Sequence, residues 1–109
     1  MTTRALTGRP KDTLPALERA VVAIVGAAEV RKFYIGREAA LDDRGGAFGR
    51  DATVVLYETA SLRSAIEVAD ALVLRFLDHV KSWNHGAAVS ERPSGRSRER
   101  VCLALWYRG

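Results

Sequence analysis

One stretch of the chain, between Ser61 and about Lys81, places apolar residues at intervals of three and four. This spacing gives a helix one broad apolar face, because 3.6 residues complete each helical turn. The face consists of Leu62, Ala65, Ile66, Ala69, Leu72, Val73, Phe76, Leu77 and Val80. A face this broad requires a second layer to bury it, and we expect that layer to be a β-sheet.

Short apolar segments rich in β-branched residues predict the sheet. A hairpin is expected from two of them around a turn at Gly26, a further strand before Glu58, and a closing strand near the C-terminus. These segments are residues 20–25, 30–35, 53–57 and 101–107. The sequence therefore predicts an α+β domain with a small antiparallel sheet flanked by helices.

Two shorter helices are also expected. Asp12 or Thr13 provides a capping residue for a helix that ends at about Arg19, with Pro15 in its first turn. Residues 38–43 predict a second short helix, which Gly45 and Gly46 would end early.

Length and composition predict one domain. A chain of 109 residues with 48% apolar residues buries a single modest core. Residues 1–11 are polar and basic and predict a mobile tail, followed by a domain over residues 12–109. The longest apolar segment, residues 20–28, is too short to span a membrane, and no secretory leader is expected. Cys102 is the only cysteine, so we expect a reducing, cytoplasmic setting.

The kind of positive charge is more informative than the net charge of +4. Lys11, Lys32 and Lys81 are the only lysines, so fourteen of the seventeen basic residues are arginines. Arginine presents a planar fork that matches phosphate, which favours nucleic acid or a nucleotide as partner. A GC-rich genome explains the overall bias equally well.

Four arginines occur in a stretch interrupted by proline, glycine and serine: Arg92, Arg96, Arg98 and Arg100. Such a loop forms a flexible positive finger that follows a phosphate backbone with little base specificity. A solvated surface loop is the alternative.

The run Phe33-Tyr34-Ile35-Gly36-Arg37, followed by Arg44, places a phenol, a glycine and two arginines near one strand-to-helix junction. Phosphodiester cleavage uses such groups, since a hydroxyl assists proton transfer from water and arginines neutralise charge on phosphate. Tyr34 could equally be a half-buried aromatic, and Arg44 could pair with the preceding aspartates. Gly36 would admit a phosphate, or only permit the chain to turn.

This order of residues resembles the GIY-YIG nuclease family over roughly residues 20–107. The resemblance implies a three-stranded antiparallel sheet flanked by helices, with Tyr34, Arg44 and Asn84 as the catalytic set, Asn84 bracing the site. Two positions depart from the family. Val22-Ala23-Ile24 stands where the first triplet is expected, and Ala69 stands at the helix position of the metal-binding glutamate.

Magnesium would be the cofactor of an active enzyme, and it needs a carboxylate ligand. Asp70 and Glu67 are the candidate ligands on the long helix, and Glu58 is a further substitute. Glu67 also fits a capped first helical turn, which is a purely structural role.

Two functions remain open at this stage. The missing tyrosine and glutamate favour a GIY-YIG-like domain that binds nucleic acid or a phosphorylated small ligand but cleaves weakly or not at all. The alternative is an active metal-dependent endonuclease. A phage or defence-related accessory role is a candidate setting. A domain this small needs a dimer or an added module to recognise a defined site, so a homodimer is a candidate assembly.

Overall fold

The computed structural model of the chain describes residues 5–38, 49–84 and 98–107. Within these ranges the chain forms two helices and three strands. In chain order they are α1 (Pro10–Val25), β1 (Lys32–Arg37), β2 (Ala52–Thr59), α2 (Leu62–Arg75) and β3 (Glu99–Trp106). The predicted α+β class is confirmed. The predicted helix over residues 38–43 lies almost entirely outside the described residues.

The three strands form one antiparallel sheet in the order β1-β3-β2. The predicted closing strand is thus confirmed, and it occupies the centre of the sheet. Tyr34 lies opposite Ala104 on one side of β3, and Thr53 lies opposite Ala104 on the other. A central strand is buried on both faces, which explains why every residue from Val101 to Trp106 is apolar and buried.

Alternate residues of the sheet point toward the two helices and form the main core. Phe33 and Ile35 of β1 lie on this helix-covered face together with Leu103 of β3. The helices contribute buried residues at helical spacing: Leu17, Val21 and Val25 from α1, and Ala65, Val68, Ala69, Leu72 and Val73 from α2. The apolar face predicted for α2 therefore packs on the sheet as expected.

The strand predicted over residues 20–25 is wrong, and so is its hairpin with residues 30–35. These residues form the last turns of α1, which begins at Pro10 and not at Asp12 or Thr13. Leu17, Val21 and Val25 recur at intervals of four and face the core, so burial along a helical face outweighs the modest β preference of the valines. The second strand of the predicted hairpin is present as β1, but it spans Lys32–Arg37 and not residues 30–35.

Helix α2 is shorter than its sequence predicts. It begins after Ser61, whose hydroxyl accepts a hydrogen bond from the Ser64 N–H at 3.1 Å, and it ends at Arg75 instead of about Lys81. Val80, assigned to the apolar face, is 93% exposed. The chain beyond Phe76 leaves the helix and returns toward β1.

The returning segment, residues 81–84, lies along the outer edge of β1. The Phe33 N–H donates to the Lys81 carbonyl at 3.0 Å, and the Trp83 N–H donates to the Phe33 carbonyl at 2.9 Å. The Asn84 side chain continues this pattern, since its Oδ1 accepts from the Ile35 N–H at 2.9 Å and its Nδ2 donates to the Ile35 carbonyl at 2.8 Å. An amide side chain here replaces the backbone of a further strand.

Leu6, within the predicted tail, pairs with the sheet. Leu6 exchanges two hydrogen bonds of 2.9 Å with the edge of β2, at Leu56 and Glu58. Pro10 and Lys11 belong to α1, so the predicted boundary at residue 11 falls within this helix. Neither helix in the described part of the chain is long and apolar enough to cross a membrane.

Replacing Asn84 by alanine leaves the N–H and carbonyl of Ile35 without the amide that now satisfies them. Unsatisfied buried groups cost about 1–3 kcal/mol each, so we expect a loss of about 2–4 kcal/mol in the free energy of unfolding, measured by urea denaturation. Val80→Ala in the same segment is the control, with an expected change within about 0.5 kcal/mol. An equally small effect of Asn84→Ala would show that the edge of β1 does not need this brace.

Candidate nucleic-acid interface

The sheet has a second face, turned away from the two helices, and Tyr34 lies on it. We call this surface the second face. Its central residues are Cys102, Ala104 and Trp106 of β3, with Tyr34 and Val55 packed against them. Cys102 and Ala104 are fully buried, whereas Tyr34 is half-buried. The phenol predicted for the site is therefore part of a packed aromatic and apolar surface and not an isolated group.

Gly36 also belongs to β1, opposite Cys102. The strand continues through Gly36 to Arg37, so the glycine is not the point at which the strand turns. Arg44 lies outside the described residues, as do Arg92 and Arg96.

Arg37 does not share a face with Tyr34. Side chains alternate along a strand, so Arg37 lies on the helix-covered face with Phe33 and Ile35. Its side chain is 1% exposed, and its Nη2 lies 2.7 Å from Oε1 of Glu99, which is also buried. The prediction that Arg37 contacts phosphate is therefore corrected: this guanidinium is part of a buried ion pair that joins the ends of β1 and β3.

Arg98 and Arg100 converge on Glu58. The Nε of Arg98 lies 2.9 Å from Oε1 of Glu58, and the Nε of Arg100 lies 2.8 Å from Oε2. Arg100 also reaches Oε2 of Glu38 at 3.4 Å. Arg100 lies within β3, directly opposite Glu58 of β2, so it is a strand residue and not part of a loop as its sequence predicts.

Glu58 and Arg100 shift each other's pKa. The hydrogen bond from Arg100, with the nearby charges of Arg100 and Arg98, lowers the pKa of Glu58. The hydrogen bond to Glu58, together with the charge of Glu38, raises the pKa of Arg100. Glu58 therefore remains ionised at neutral pH and is held between two cations, so it is a poor ligand for a divalent metal ion.

The two candidate metal ligands on α2 point away from the sheet. Ala69 is fully buried against the sheet, whereas Glu67 and Asp70 are exposed. One residue turns the side-chain direction by about 100°, which places both acids on the outer side of the helix. Tyr34 lies beyond the sheet on the opposite layer, so the structure does not bring these acids and the phenol together.

The described residues contain no group of three or more His, Cys, Asp or Glu side chains that could hold a metal ion. The acids nearest the arginine cluster, Glu38 and Glu58, are engaged with Arg98 and Arg100.

A further cluster on the second face was missed by sequence reasoning. The Nζ of Lys32 lies 3.5 Å from the ring centroid of Trp83 and 5.2 Å from that of Trp106. The two indole rings meet edge to face, with centroids 5.4 Å apart and an interplanar angle of 67°. Alternation along β1 places Lys32 on the face of Tyr34. Nothing local in the sequence, however, indicates that Trp83 returns to meet it.

Comparisons of the chain with protein-family models, curated proteins and solved structures give no match. The resemblance to GIY-YIG nucleases remains a prediction from Tyr34, Arg44 and Asn84. Its expected first triplet, Val22-Ala23-Ile24, lies in helix α1 and not in a strand.

The buried pair of Arg37 and Glu99 generates a stability prediction. Arg37→Met leaves the Glu99 carboxylate without its arginine, and we expect thermal unfolding to show a loss of about 3–5 kcal/mol. Adding Glu99→Leu removes the stranded charge, so the double variant should recover most of this loss. If Arg37→Met unfolds like the wild type, Arg37 is not a structural residue.

The titration of Glu58 provides a second test of the geometry. Carbon-detected NMR should show its carboxylate titrating below an ordinary glutamate, and Arg100→Gln should move the midpoint upward. Because the folded-state pKa is lowered, the stabilising contribution is present above the ordinary pKa and disappears as pH falls through the lowered value. Arg63→Gln, on the exposed side of α2, should leave the Glu58 midpoint unchanged. A normal midpoint in the wild type would rule out the cluster in solution.

Proposed function

We propose that this domain binds nucleic acid or a phosphorylated ligand through the arginine cluster of the second face, without cleaving phosphodiester bonds. The observation that carries the proposal is the convergence of Arg98 and Arg100 on the single carboxylate of Glu58. Two guanidinium groups around one anion form an arrangement that suits phosphate binding. Glu58 takes the position of that anion in the structure.

The exposure of the cluster supports exchange of Glu58 for a phosphate. The side chains of Arg98 and Arg100 are 44% and 38% exposed. Ion pairs at exposed positions contribute about 0–1 kcal/mol, so little free energy holds the arginines on Glu58. Arg98 donates its Nε–H to Glu58, and Arg100 donates its Nε–H to Glu58 and an Nη1–H to Glu38. Each guanidinium has further N–H donors for phosphate oxygens. The net charge of +4 favours approach of a polyanion.

The non-catalytic half of the proposal has separate support. Hydrolysis of this class needs a proton acceptor and a metal-held phosphate, and the two acids predicted for the metal lie on the far side of α2. The position of the expected first tyrosine is Ala23, within α1. Arg44, Arg92 and Arg96 remain expected phosphate contacts in this proposal.

The direct test measures binding of labelled oligonucleotides by fluorescence anisotropy in chelator over a range of salt concentrations. Replacing Arg98 and Arg100 by serine should reduce the slope of log affinity against log salt by about 1.4 for single strands, since two phosphate contacts are lost. Arg19→Ser with Arg63→Ser removes the same charge from exposed helix positions and is the matched control. Equal slopes for both double variants would contradict the arginine cluster as the site.

Glu58→Gln gives a prediction of opposite sign. If the Glu58 carboxylate occupies the phosphate position, the Glu58→Gln variant should bind the oligonucleotide more tightly than the wild type in the same assay. The comparison variant is Glu18→Gln, which removes an exposed carboxylate paired with Arg75 on the helical layer. Weaker binding by Glu58→Gln would show that Glu58 positions the arginines instead of competing with phosphate.

Cleavage assays with magnesium or manganese test the enzyme alternative. We expect no turnover of supercoiled or single-stranded DNA and unchanged binding in chelator. Robust metal-dependent cleavage that is abolished by Tyr34→Phe would overturn the non-catalytic proposal, because this substitution removes only the phenolic hydroxyl.

A further inference from the structure

Glu58 is held between Arg98 and Arg100 through both of its carboxylate oxygens. The Nε of Arg98 lies 2.9 Å from Oε1, and the Nε of Arg100 lies 2.8 Å from Oε2. A phosphate that takes this position separates the carboxylate from both guanidinium groups, because the two anions compete for the same N–H donors. We infer that phosphate binding at this cluster is coupled to the uptake of a proton by the displaced Glu58, so that binding strengthens in acidic solution. The inference rests on the proposed function and adds its regulation.

The backbone keeps Glu58 beside the arginines after its carboxylate is displaced. Glu58 belongs to β2 and lies opposite Arg100 of β3. At the other edge of β2, the Glu58 N–H donates to the Leu6 carbonyl at 2.9 Å. Because the residue is fixed from both sides, only its side chain can move. The carboxylate therefore stays close to the bound phosphate and is exposed to its negative charge.

The charged groups around Glu58 determine the direction of the effect. Arg100 of β3 and Arg98, which precedes that strand, contact its carboxylate, and Glu38, which follows β1, lies 3.4 Å from Nη1 of Arg100. Leu6 of the N-terminal segment contributes only backbone groups to this contact. In the structure, the hydrogen bond from Arg100, with the charges of Arg100 and Arg98, lowers the pKa of Glu58. In the complex, phosphate and Glu38 present like charges instead, which raise the pKa of this carboxyl.

These two states give the sign of the pH dependence. Between the lowered pKa before binding and the raised pKa in the complex, Glu58 is ionised before phosphate binds and protonated afterwards. Each binding event then takes a proton from the buffer, so the affinity rises as the pH falls through this window, by at most about tenfold per pH unit for one proton. Above the window Glu58 is ionised in both states, and its proton no longer affects the affinity.

The experiment uses the full chain in chelator with oligothymidylate that lacks a terminal phosphate, because its phosphodiesters and thymine bases do not titrate in weakly acidic solution. Isothermal titration calorimetry in two buffers of different ionisation enthalpy counts the protons taken up on binding at each pH. We expect the wild type to take up a proton in the window and to bind more tightly as the pH falls. Glu58→Gln cannot be protonated, so it should lose this uptake and show a flatter pH profile.

Glu18→Gln is the matched control, because it removes an exposed carboxylate paired with Arg75 in the helical layer and should keep the proton uptake of the wild type. Circular dichroism confirms that each variant is folded at each pH. Equal proton uptake and equal pH profiles for the wild type and Glu58→Gln would overturn the inference while leaving phosphate binding intact. Failure of the wild type to bind at low salt at any pH would overturn the proposed function and the inference together.

Discussion

The fold depends on β3 as the central strand of its sheet. Residues Val101–Trp106 are apolar and buried on both faces, so they are stable only with a strand at each edge. β1 and β2 do not pair with each other, and both are aligned by β3. This strand also carries Arg100, so the register that builds the core also places Arg100 opposite Glu58.

Asn84, a residue of the predicted motif, has a structural role at the edge of this sheet. β1 is an edge strand, and an open edge invites pairing with other chains. Residues 81–84 close it, and Asn84 provides the last two hydrogen bonds from its side chain. Lys81 adds a second constraint, since its Nζ donates to the carbonyls of Val25 and Ala27 at the end of α1 at 2.7 and 3.2 Å. One short segment thus connects the sheet edge to the end of a helix.

Sequence patterns predict the elements whose burial is periodic and local. The apolar spacing of α2 and the continuous apolar run of β3 define those elements, although Val80 shows that a pattern can outlast its helix. The β-branched run at residues 20–25 suggests a strand, because Leu17, which continues the helical spacing of Val21 and Val25, lies outside that run. The sequence therefore predicts the fold class, but it does not predict that residues 20–25 belong to a helix and not to the sheet.

The site was less predictable, since its contacts join distant residues. Alternation from Tyr34 would have placed Arg37 on the opposite face, but its partner Glu99 is 62 residues away. Glu58 holds arginines 40 and 42 residues further along, and Lys32 meets Trp83 only because the chain returns along β1. Only the strand register shows which cations and rings share a face.

The central claim is that Arg98 and Arg100, which meet on Glu58, bind nucleic acid or a phosphorylated ligand without a metal ion. Two-dimensional amide NMR during titration with oligothymidylate in chelator tests it most directly. The account predicts that the amides of Glu58, Arg98 and Arg100 shift together with a single dissociation constant. Shifts confined to α1 and the exposed side of α2, or shifts that require magnesium, would contradict it.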